Sequence, residues 1–153
     1  MKYKPFLNLT IDSREQKPLV FNAPYFKSVL TGKLNFGDYS CSVDEKVCPI
    51  YFERKAIGDL FGTLSAGIER FKREVERAKG NESRIVIVVE GSYYEVLEGY
   101  KHSSVKGLTV VRTLFTLMIK YGIPFVCFNT REEMAHYISE FYYSYFKNLT
   151  KED

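Results

Sequence analysis

The chain has 153 residues, 45% of them hydrophobic and 16% aromatic, which is enough for one domain with a sizeable core and excludes an intrinsically disordered chain. Its net charge of +3 permits nucleic-acid binding but does not argue for it, because a basic surface would have to be local. No stretch of about 18 apolar residues predicts a transmembrane helix, and the N-terminus lacks the apolar region of a signal peptide.

The cysteines and histidines are too scattered to predict a zinc site. Cys41, Cys48 and Cys127 have no metal-binding spacing, and His102 and His136 lie far apart. Because an odd number of cysteines occurs without an export signal, we expect a reduced, cytoplasmic protein, associated with the nucleoid if it is prokaryotic.

The first half of the chain predicts four strands joined by turns. They cover residues 6–11, 25–30, 38–43 and 47–55. Residues 44–46 form a turn, so the third and fourth strands should pair antiparallel. This pairing would bring Asp38, at the start of one strand, towards Glu53, near the end of the other.

The second half predicts helices that alternate with strands, which indicates an α/β fold with a mixed sheet. Helices are expected at residues 56–64, 68–79, 93–99 and 105–121, strands at 84–90 and 125–128, and a last helix after its cap, Thr130. The β-branched run at 84–90 is typical of a strand buried on both faces. We expect one domain over residues 1–147 and a polar, frayed tail over residues 148–153.

The residues most suggestive of chemistry are Asp38, Glu53 and Lys55. Because side chains alternate along a strand, Glu53 and Lys55 should point to one side and Arg54 to the other. Two carboxylates and an ammonium in one pocket suit metal-assisted phosphodiester hydrolysis, since Mg²⁺ needs only one or two protein carboxylates with water and phosphate. Taken alone, the same residues also fit a surface aspartate and an ordinary Glu/Lys pair at a strand end.

Three motifs resemble the signature of the XPF nuclease family in order and spacing. They are Ile11-Asp12-Ser13-Arg14-Glu15, Gly37-Asp38-Tyr39, and Glu53-Arg54-Lys55 followed by Asp59. The resemblance continues through Arg70-Phe71 with Glu74, Val89-Glu90-Gly91-Ser92 and Tyr121-Gly122-Ile123-Pro124. It is strongest to short standalone members from bacteria, archaea and their phages. It implies a restriction-endonuclease-like, PD-(D/E)xK, α/β core whose mixed sheet is flanked by helices, and DNA cleavage with a divalent metal.

The resemblance assigns a role to each candidate residue of the active site. It implies that Asp38 and Glu53 bind Mg²⁺ or Mn²⁺ and that Lys55 positions or activates water. Supporting roles fall to Asp12, Glu15, Arg54, Asp59 and Arg70, and Glu74 is expected near the site with Arg70. Alternatives remain, since Asp12 and Glu15 could hold a turn, Arg54 could be an internal ion-pair partner, and Asp59 could simply favour the start of a helix.

Basic residues beside these motifs are the candidates for DNA contact. They are Arg14, Arg70, Lys72 and Arg73. Arg14 could pair with a carboxylate or contact phosphate. The charged helix at 68–79 could equally be a solvated face, because its glutamates partly neutralise it.

The last helix suggests a subunit interface. It carries Phe141, Tyr142, Tyr143, Tyr145 and Phe146, which cover more helix faces than one intramolecular contact should need. Core packing is the alternative, and base stacking is a weaker one. XPF-type nuclease domains pair through their C-terminal half, so the resemblance implies a homodimer.

We therefore expect an endonuclease acting on branched or single-strand/double-strand junction DNA. Larger relatives grip junctions with helix-hairpin-helix modules for which this chain has no room, so substrate choice would come from the nuclease domain, a dimer partner or a loading protein. A nuclease with little structure preference and a non-catalytic DNA-binding scaffold are the alternatives.

Overall fold

The computed structural model describes residues 4–151, with side chains to residue 149. Its strands are β1 Leu7–Asp12, β2 Phe26–Gly32, β3 Tyr39–Val43, β4 Lys46–Val47, β5 Ile50–Ala56, β6 Arg84–Glu90 and β7 Phe125–Phe128. Its helices are α1 Ile57–Thr63, α2 Ile68–Gly80, α3 Tyr93–Glu98, α4 Gly107–Tyr121 and α5 Arg131–Lys151. The predicted elements are therefore present in the predicted order, except that one predicted strand is divided into β4 and β5. No described helix has the length and apolar character needed to cross a membrane.

The strands form one mixed sheet in the order β2-β1-β3-β5-β6-β7, with β4 paired to β3. Strands β3 and β5 are antiparallel, as predicted, with Tyr39 opposite Phe52. Strands β5, β6 and β7 run parallel to one another. Because β6 lies inside the sheet, its side chains alternate between two cores: Val86 and Val88 enter one, and Ile85, Ile87 and Val89 enter the other. The prediction that this strand is buried on both faces is confirmed.

The two faces of the sheet carry different helices. One core packs against α5 through Met134, Ile138, Tyr142 and Phe146. The other packs against α1, α2, α3 and α4. The expected α/β class, a mixed sheet flanked by helices, is confirmed, and the helices leave the end of β5 accessible to a cavity described below.

The predicted fourth strand, 47–55, is wrong as a single element. The structure divides it into β4 and β5 at Cys48 and Pro49. Proline has no N–H to donate to a ladder, which accounts for the break. Cys48 still donates its N–H to the carbonyl of Cys41 at 2.9 Å, so the hairpin with β3 is preserved.

The last helix packs more completely than the sequence suggested. Tyr142 and Phe146 are buried, and Phe141, Tyr143 and Tyr145 are half-buried against the same core. One intramolecular surface can accommodate all five because the N-terminal segment flanks the helix: Tyr143 lies 6.0 Å from Phe6 and 4.9 Å from Tyr25 between ring centroids. The expectation that these aromatics exceed one intramolecular contact is therefore wrong.

The last helix also extends further than expected. Residues 148–151 continue α5, and Leu149 packs partly buried against the core, so the prediction of a frayed tail is wrong for those residues. The remaining residues of the predicted tail, 152–153, lie outside the described part of the chain. The start of this helix is as predicted, since the Thr130 hydroxyl accepts a hydrogen bond from the Glu133 N–H at 3.1 Å.

Candidate active site

The start of β3 and the end of β5 bring Asp38 against Glu53 through backbone hydrogen bonds. Asp38 donates its N–H to the carbonyl of Phe52 at 2.7 Å, and the Arg54 N–H donates to Asp38 Oδ2 at 2.7 Å. Gly37 makes the approach feasible: its φ is +64°, and a Cβ there would lie 3.0 Å from the Phe52 carbonyl oxygen. Glycine at position 37 is therefore a geometric requirement of this close approach between the two strands.

Glu53 and Lys55 line one cavity of about 430 Å³, whereas Arg54 does not line it. This confirms the alternation predicted along β5. The charged residues that share the cavity are Arg14, Glu53, Lys55, Arg70, Glu74 and Arg77. Since most of them are cationic and two are carboxylates, the cavity suits an anion held beside carboxylate ligands.

Glu53 is the least satisfied polar group of the site. The residue is only 8% exposed, and its Oε2 atom is buried without a hydrogen-bond partner. Among the side chains that the structure describes, no other buried oxygen or nitrogen lacks a partner. Burying a carboxylate oxygen without a partner costs free energy. A ligand that the folded chain does not itself supply would therefore stabilise this atom.

Burial raises the pKa of both carboxyl groups. The pKa of Glu53 is held well above its usual range by burial first and then by the charges of Asp38 and Glu74. Burial raises the pKa of Asp38 to about 6, although the hydrogen bond from the Arg54 N–H opposes the rise. Two adjacent carboxyl groups with raised pKa values are typical of sites whose charge is completed by a bound cation.

Replacing Asp38 by asparagine should stabilise the metal-free protein in a pH-dependent way. The Asp38 pKa of about 6 exceeds its ordinary value of 3.8, so the folded state binds the extra proton between roughly pH 4 and 6; folding becomes less favourable as the pH rises through that window, and the cost is constant above it. Asparagine cannot ionise, so we expect a gain on the order of 2–3 kcal/mol at neutral pH that disappears near pH 4.

Urea unfolding of both proteins with a chelator, at a series of pH values, measures this difference. A gain of equal size across the whole range would contradict the raised pKa. Asparagine can still accept the Arg54 N–H, so loss of that bond is not expected to obscure the result.

The donor set fits a hard divalent cation. Mg²⁺ is held by one or two carboxylates with water and substrate phosphate, and the unpartnered Glu53 oxygen beside Asp38 meets that need. Within residues 4–149, no three histidine, cysteine, aspartate or glutamate side chains converge closely enough to form a metal cage of their own.

Arg54 fixes the site from the opposite face of β5. Its guanidinium, 7% exposed, donates to both Glu15 oxygens at 2.8 and 2.5 Å and to Glu90 at 2.7 Å. Burial opposes ionisation of Glu15, but the Arg54 hydrogen bonds and charge hold its pKa below the usual value. The structure therefore places Glu15 and Arg54 in an internal ion pair, one of the alternatives open from the sequence.

The network extends to α5 through Glu90. Arg131, the first residue of α5, bonds Glu90 and donates to the carbonyls of Lys17 and Pro18 at 2.7 and 3.0 Å. Sequence reasoning missed Arg131, because no local pattern relates the start of α5 to the end of β6. Glu90 lies near the site because it ends β6, which runs parallel to β5 and pairs with it.

Asp12 and Arg14 hold the segment that leads to Asp38. Arg14 donates to both Asp12 oxygens at 3.0 and 3.3 Å and to the Leu34 carbonyl at 2.8 Å. Asp12 also accepts the Leu34 N–H at 2.9 Å. Both Asp12 oxygens are thus occupied by local partners, while Arg14 also lines the cavity beside Glu53.

The remaining predicted residues divide between the cavity and the surface. Arg70 lines the cavity. Lys72 pairs with Glu69 at 3.6 Å, and it lines a separate surface with Arg73. Asp59 is exposed in the first turn of α1 and does not line the cavity. The structure therefore does not bring Lys72, Arg73 or Asp59 to Glu53, and their roles stay predictions.

The cavity contains Glu74, which the resemblance places near the site with Arg70, and it adds Arg77. They lie four and seven positions after Arg70 on α2, a spacing that places all three on one helix face. This helical spacing was the sequence signal that could have identified Arg77. Arg77 also donates to the Asn35 carbonyl at 3.3 Å, which connects α2 to the segment before Asp38.

Comparison with known proteins agrees with this geometry. The ERCC4 domain profile matches residues 11–141. The chain is similar in structure to XPF from Aeropyrum pernix, with a TM-score of 0.62 and 22% identity over 87% of this chain and 63% of that one. It is also similar to XPF from Aeropyrum pernix in complex with DNA, with a TM-score of 0.66 and 21% identity over 95% of this chain and 66% of that one.

These comparisons show how much of this chain and of its relatives is similar. The chain spans just under two thirds of the length of either archaeal chain. No curated protein matches it significantly. The matched segment contains the predicted motifs, from Ile11 and Asp12 through Glu53 and Lys55 to the first half of α5, and the fold is that of the restriction-endonuclease-like XPF nuclease domain. The chain therefore belongs to the ERCC4 domain family.

Proposed function

We propose that this protein is a metal-dependent DNA endonuclease. The observation that carries the proposal is the buried, unpartnered Glu53 oxygen next to Asp38, in a cavity that Lys55 and three arginines also line. Family membership supports a nuclease, and one structural relative is described as a complex with DNA. A phosphodiester is an anion that requires both cationic contacts and hard oxygen ligands for a metal, and this cavity offers both.

Each side chain has a distinct part in the proposed reaction. Asp38 and Glu53 would hold Mg²⁺ or Mn²⁺, which when bound polarises a phosphate oxygen and lowers the pKa of water. Lys55, on the same side of β5 as Glu53, orients the attacking water or offsets charge that develops on the phosphate. Arg14 and Arg70 hold the DNA backbone in the cavity.

The substrate we favour is branched DNA, such as a flap, a fork or another single-strand/double-strand junction. The cavity contacts phosphate through charge, which by itself carries no sequence information. Preference for a junction would therefore depend on backbone shape, a dimer partner or a loading protein. We expect the protein to act in the cytoplasm, where its free cysteines would remain reduced.

A homodimer through the C-terminal half is part of the proposal. Helix α4 exposes Leu108, Phe115, Met118 and Ile119, and Phe115 packs beside Phe125 of β7, the edge strand of the sheet. Exposed apolar residues along one helix next to an open strand edge are typical of a subunit interface. Light scattering of the intact chain tests this, and a monomer at every concentration would contradict it.

The experiment that tests the function is cleavage of labelled flap, fork, single-stranded and duplex DNA with Mg²⁺ or Mn²⁺. We expect metal-dependent cutting of flap or fork DNA to exceed that of plain duplex. Lys55→Ala should reduce the rate by about 10²–10³-fold. Lys101→Ala removes the same charge from an exposed loop and serves as the matched control.

The other outcomes separate the rival functions. Equal cutting of all four DNAs would favour a nuclease with little structure preference, acting in DNA degradation or defence. Binding of these DNAs without cleavage by the wild-type protein, with either metal, would contradict the enzymatic proposal and indicate a scaffold subunit.

A further inference from the structure

A second concave site lies beside the last turn of α2, and the reaction described above does not use it. This site, the Tyr121 pocket, has a volume of about 350 Å³. Its floor is formed by buried apolar side chains, those of Val75, Ile85 and Ile123. Its rim carries the half-buried Tyr121 at the end of α4 and three exposed charged residues, Lys79, Glu82 and Arg84. An apolar floor under a charged rim is typical of a ligand site.

The chemistry of this lining fits a nucleotide. Aliphatic side chains and an aromatic ring accept the apolar face of a base, and cations hold its phosphate. Lys79 and Arg84 supply that positive charge, and within residues 4–149 neither of them forms an ion pair. Glu82 is the one carboxylate among the described lining residues, so positive charge exceeds negative charge on the rim. The pocket therefore favours an anion with a flat apolar part.

A basic surface connects the Tyr121 pocket with the active-site cavity. Arg77 lines both the cavity and this surface, and Tyr121 lines both the surface and the pocket. The charged residues of the surface are Glu69, Lys72, Arg73, Glu76 and Arg77. Lys72 and Glu69 pair at 3.6 Å, which leaves two arginines with one glutamate. Lys72 also lies 6.0 Å from the centre of the Tyr121 ring, so positive charge continues from the cavity to the pocket.

We propose that the Tyr121 pocket binds a base of the single DNA strand that crosses α2 from the active-site cavity. This inference rests on the proposed function, because the same DNA must occupy that cavity. A strand explains why the basic surface continues to the cavity, which a free nucleotide would not require. A duplex does not meet the need, since its bases are stacked and paired and cannot enter a pocket of this size without being unpaired.

The pocket would give the nuclease a preference for DNA with a single-stranded arm. A helix with its side chains is about 10–12 Å wide, so a strand that crosses α2 reaches the pocket within a few nucleotides of the cavity. The single-stranded arm of a flap or a fork can supply those nucleotides, whereas an intact duplex cannot. Recognition of the arm would then come from this chain itself, without a loading protein.

The test is equilibrium binding of two labelled flap DNAs by the intact chain, with a chelator present so that neither is cut. One flap carries an arm long enough to cross α2, and the other carries an arm of a single nucleotide. We expect Lys79→Ala/Arg84→Ala to weaken binding of the long-armed flap about tenfold and to leave the short-armed flap unchanged. For the long arm, the slope of log affinity against log salt should become shallower by about 1.4, the value for two phosphate contacts on a single strand.

Matched variants identify the source of the effect. Lys101→Ala/Lys120→Ala removes two exposed positive charges outside the pocket and the basic surface, and it should bind both flaps as the wild type does. Tyr121→Phe keeps the aromatic ring and should bind the long arm normally, whereas Tyr121→Leu should weaken it about tenfold. Iodouracil placed at successive positions of the arm should cross-link to Tyr121 on irradiation. Circular dichroism checks that each variant is folded.

The outcomes separate this inference from the proposed function. Equal weakening of both flaps by Lys79→Ala/Arg84→Ala, or no weakening of either, would overturn the pocket. Cross-links that all fall outside its lining residues would do the same. Metal-dependent cleavage of the short-armed flap would then leave the proposed function standing. A wild-type chain that binds no flap DNA at all would contradict both.

Discussion

Glu53→Gln is expected to abolish DNA cleavage and at the same time raise the melting temperature of the metal-free protein. The carboxylate supplies the oxygen left without a partner in the fold, so its loss removes a ligand of the proposed metal site and should lower the cleavage rate by about a hundredfold or more. Its pKa is raised by burial and by Asp38 and Glu74. As the pH rises above its ordinary pKa of 4.5, the folded state must therefore keep a proton on Glu53 or bury its charge, which lowers the stability, and a neutral glutamine removes that cost at neutral pH.

Cleavage assays and thermal unfolding, with and without Mg²⁺, measure both parts. The wild type should gain melting temperature when Mg²⁺ is added, because the ion binds only the folded state, and the variant should lose most of that gain. Glu45→Gln, in the exposed turn between β3 and β4, is the control and should change neither property. A variant that is less stable than the wild type and still cleaves would contradict both roles of Glu53.

Arg54→Met is expected to cost about 3–5 kcal/mol of the free energy of unfolding. The substitution leaves Glu15, whose side chain is 5% exposed, without its bidentate partner and removes the link to Glu90. Breaking one partner of a buried ion pair leaves a charge that the interior cannot solvate. Because domains are stable by only about 5–15 kcal/mol, this one change should consume a large part of the total.

Denaturant unfolding measures this cost, and a second substitution identifies its source. Adding Glu15→Leu to Arg54→Met removes the stranded charge and should recover part of the lost stability. Arg54→Lys should fall between wild type and Arg54→Met, since an ammonium cannot bond both Glu15 oxygens and Glu90 in the same planar way. A loss under about 1 kcal/mol in Arg54→Met would show that the network is not a major determinant of stability.

The sequence predicted those parts of the site that depend on the local periodicity of a strand. Alternation along β5 placed Glu53 and Lys55 together and Arg54 on the other face, and the hairpin brought Asp38 to Glu53. Both inferences need only the period of a strand and one antiparallel pairing. The same reasoning failed at Pro49, where a missing N–H divides a strand whose apolar pattern is continuous.

Local sequence patterns did not predict the contacts between distant elements. Arg131 donates a hydrogen bond to Glu90, which is distant in the sequence. Asp12 accepts hydrogen bonds from Arg14 and from the Leu34 N–H. No periodic pattern in the sequence predicts these hydrogen bonds, because each depends on the path that the loops take. The packing of all five aromatics of α5 likewise needed the flanking N-terminal segment, which composition alone does not place beside that helix.

The central claim is that Asp38 and Glu53 hold the metal used to cleave DNA. Anomalous diffraction from crystals soaked in Mn²⁺ tests it most directly. The account predicts a peak within coordination distance of both carboxylates, in the cavity that Lys55 lines. A peak held elsewhere, for example by Glu15 or Asp12 with none at Glu53, would contradict the assignment of this site.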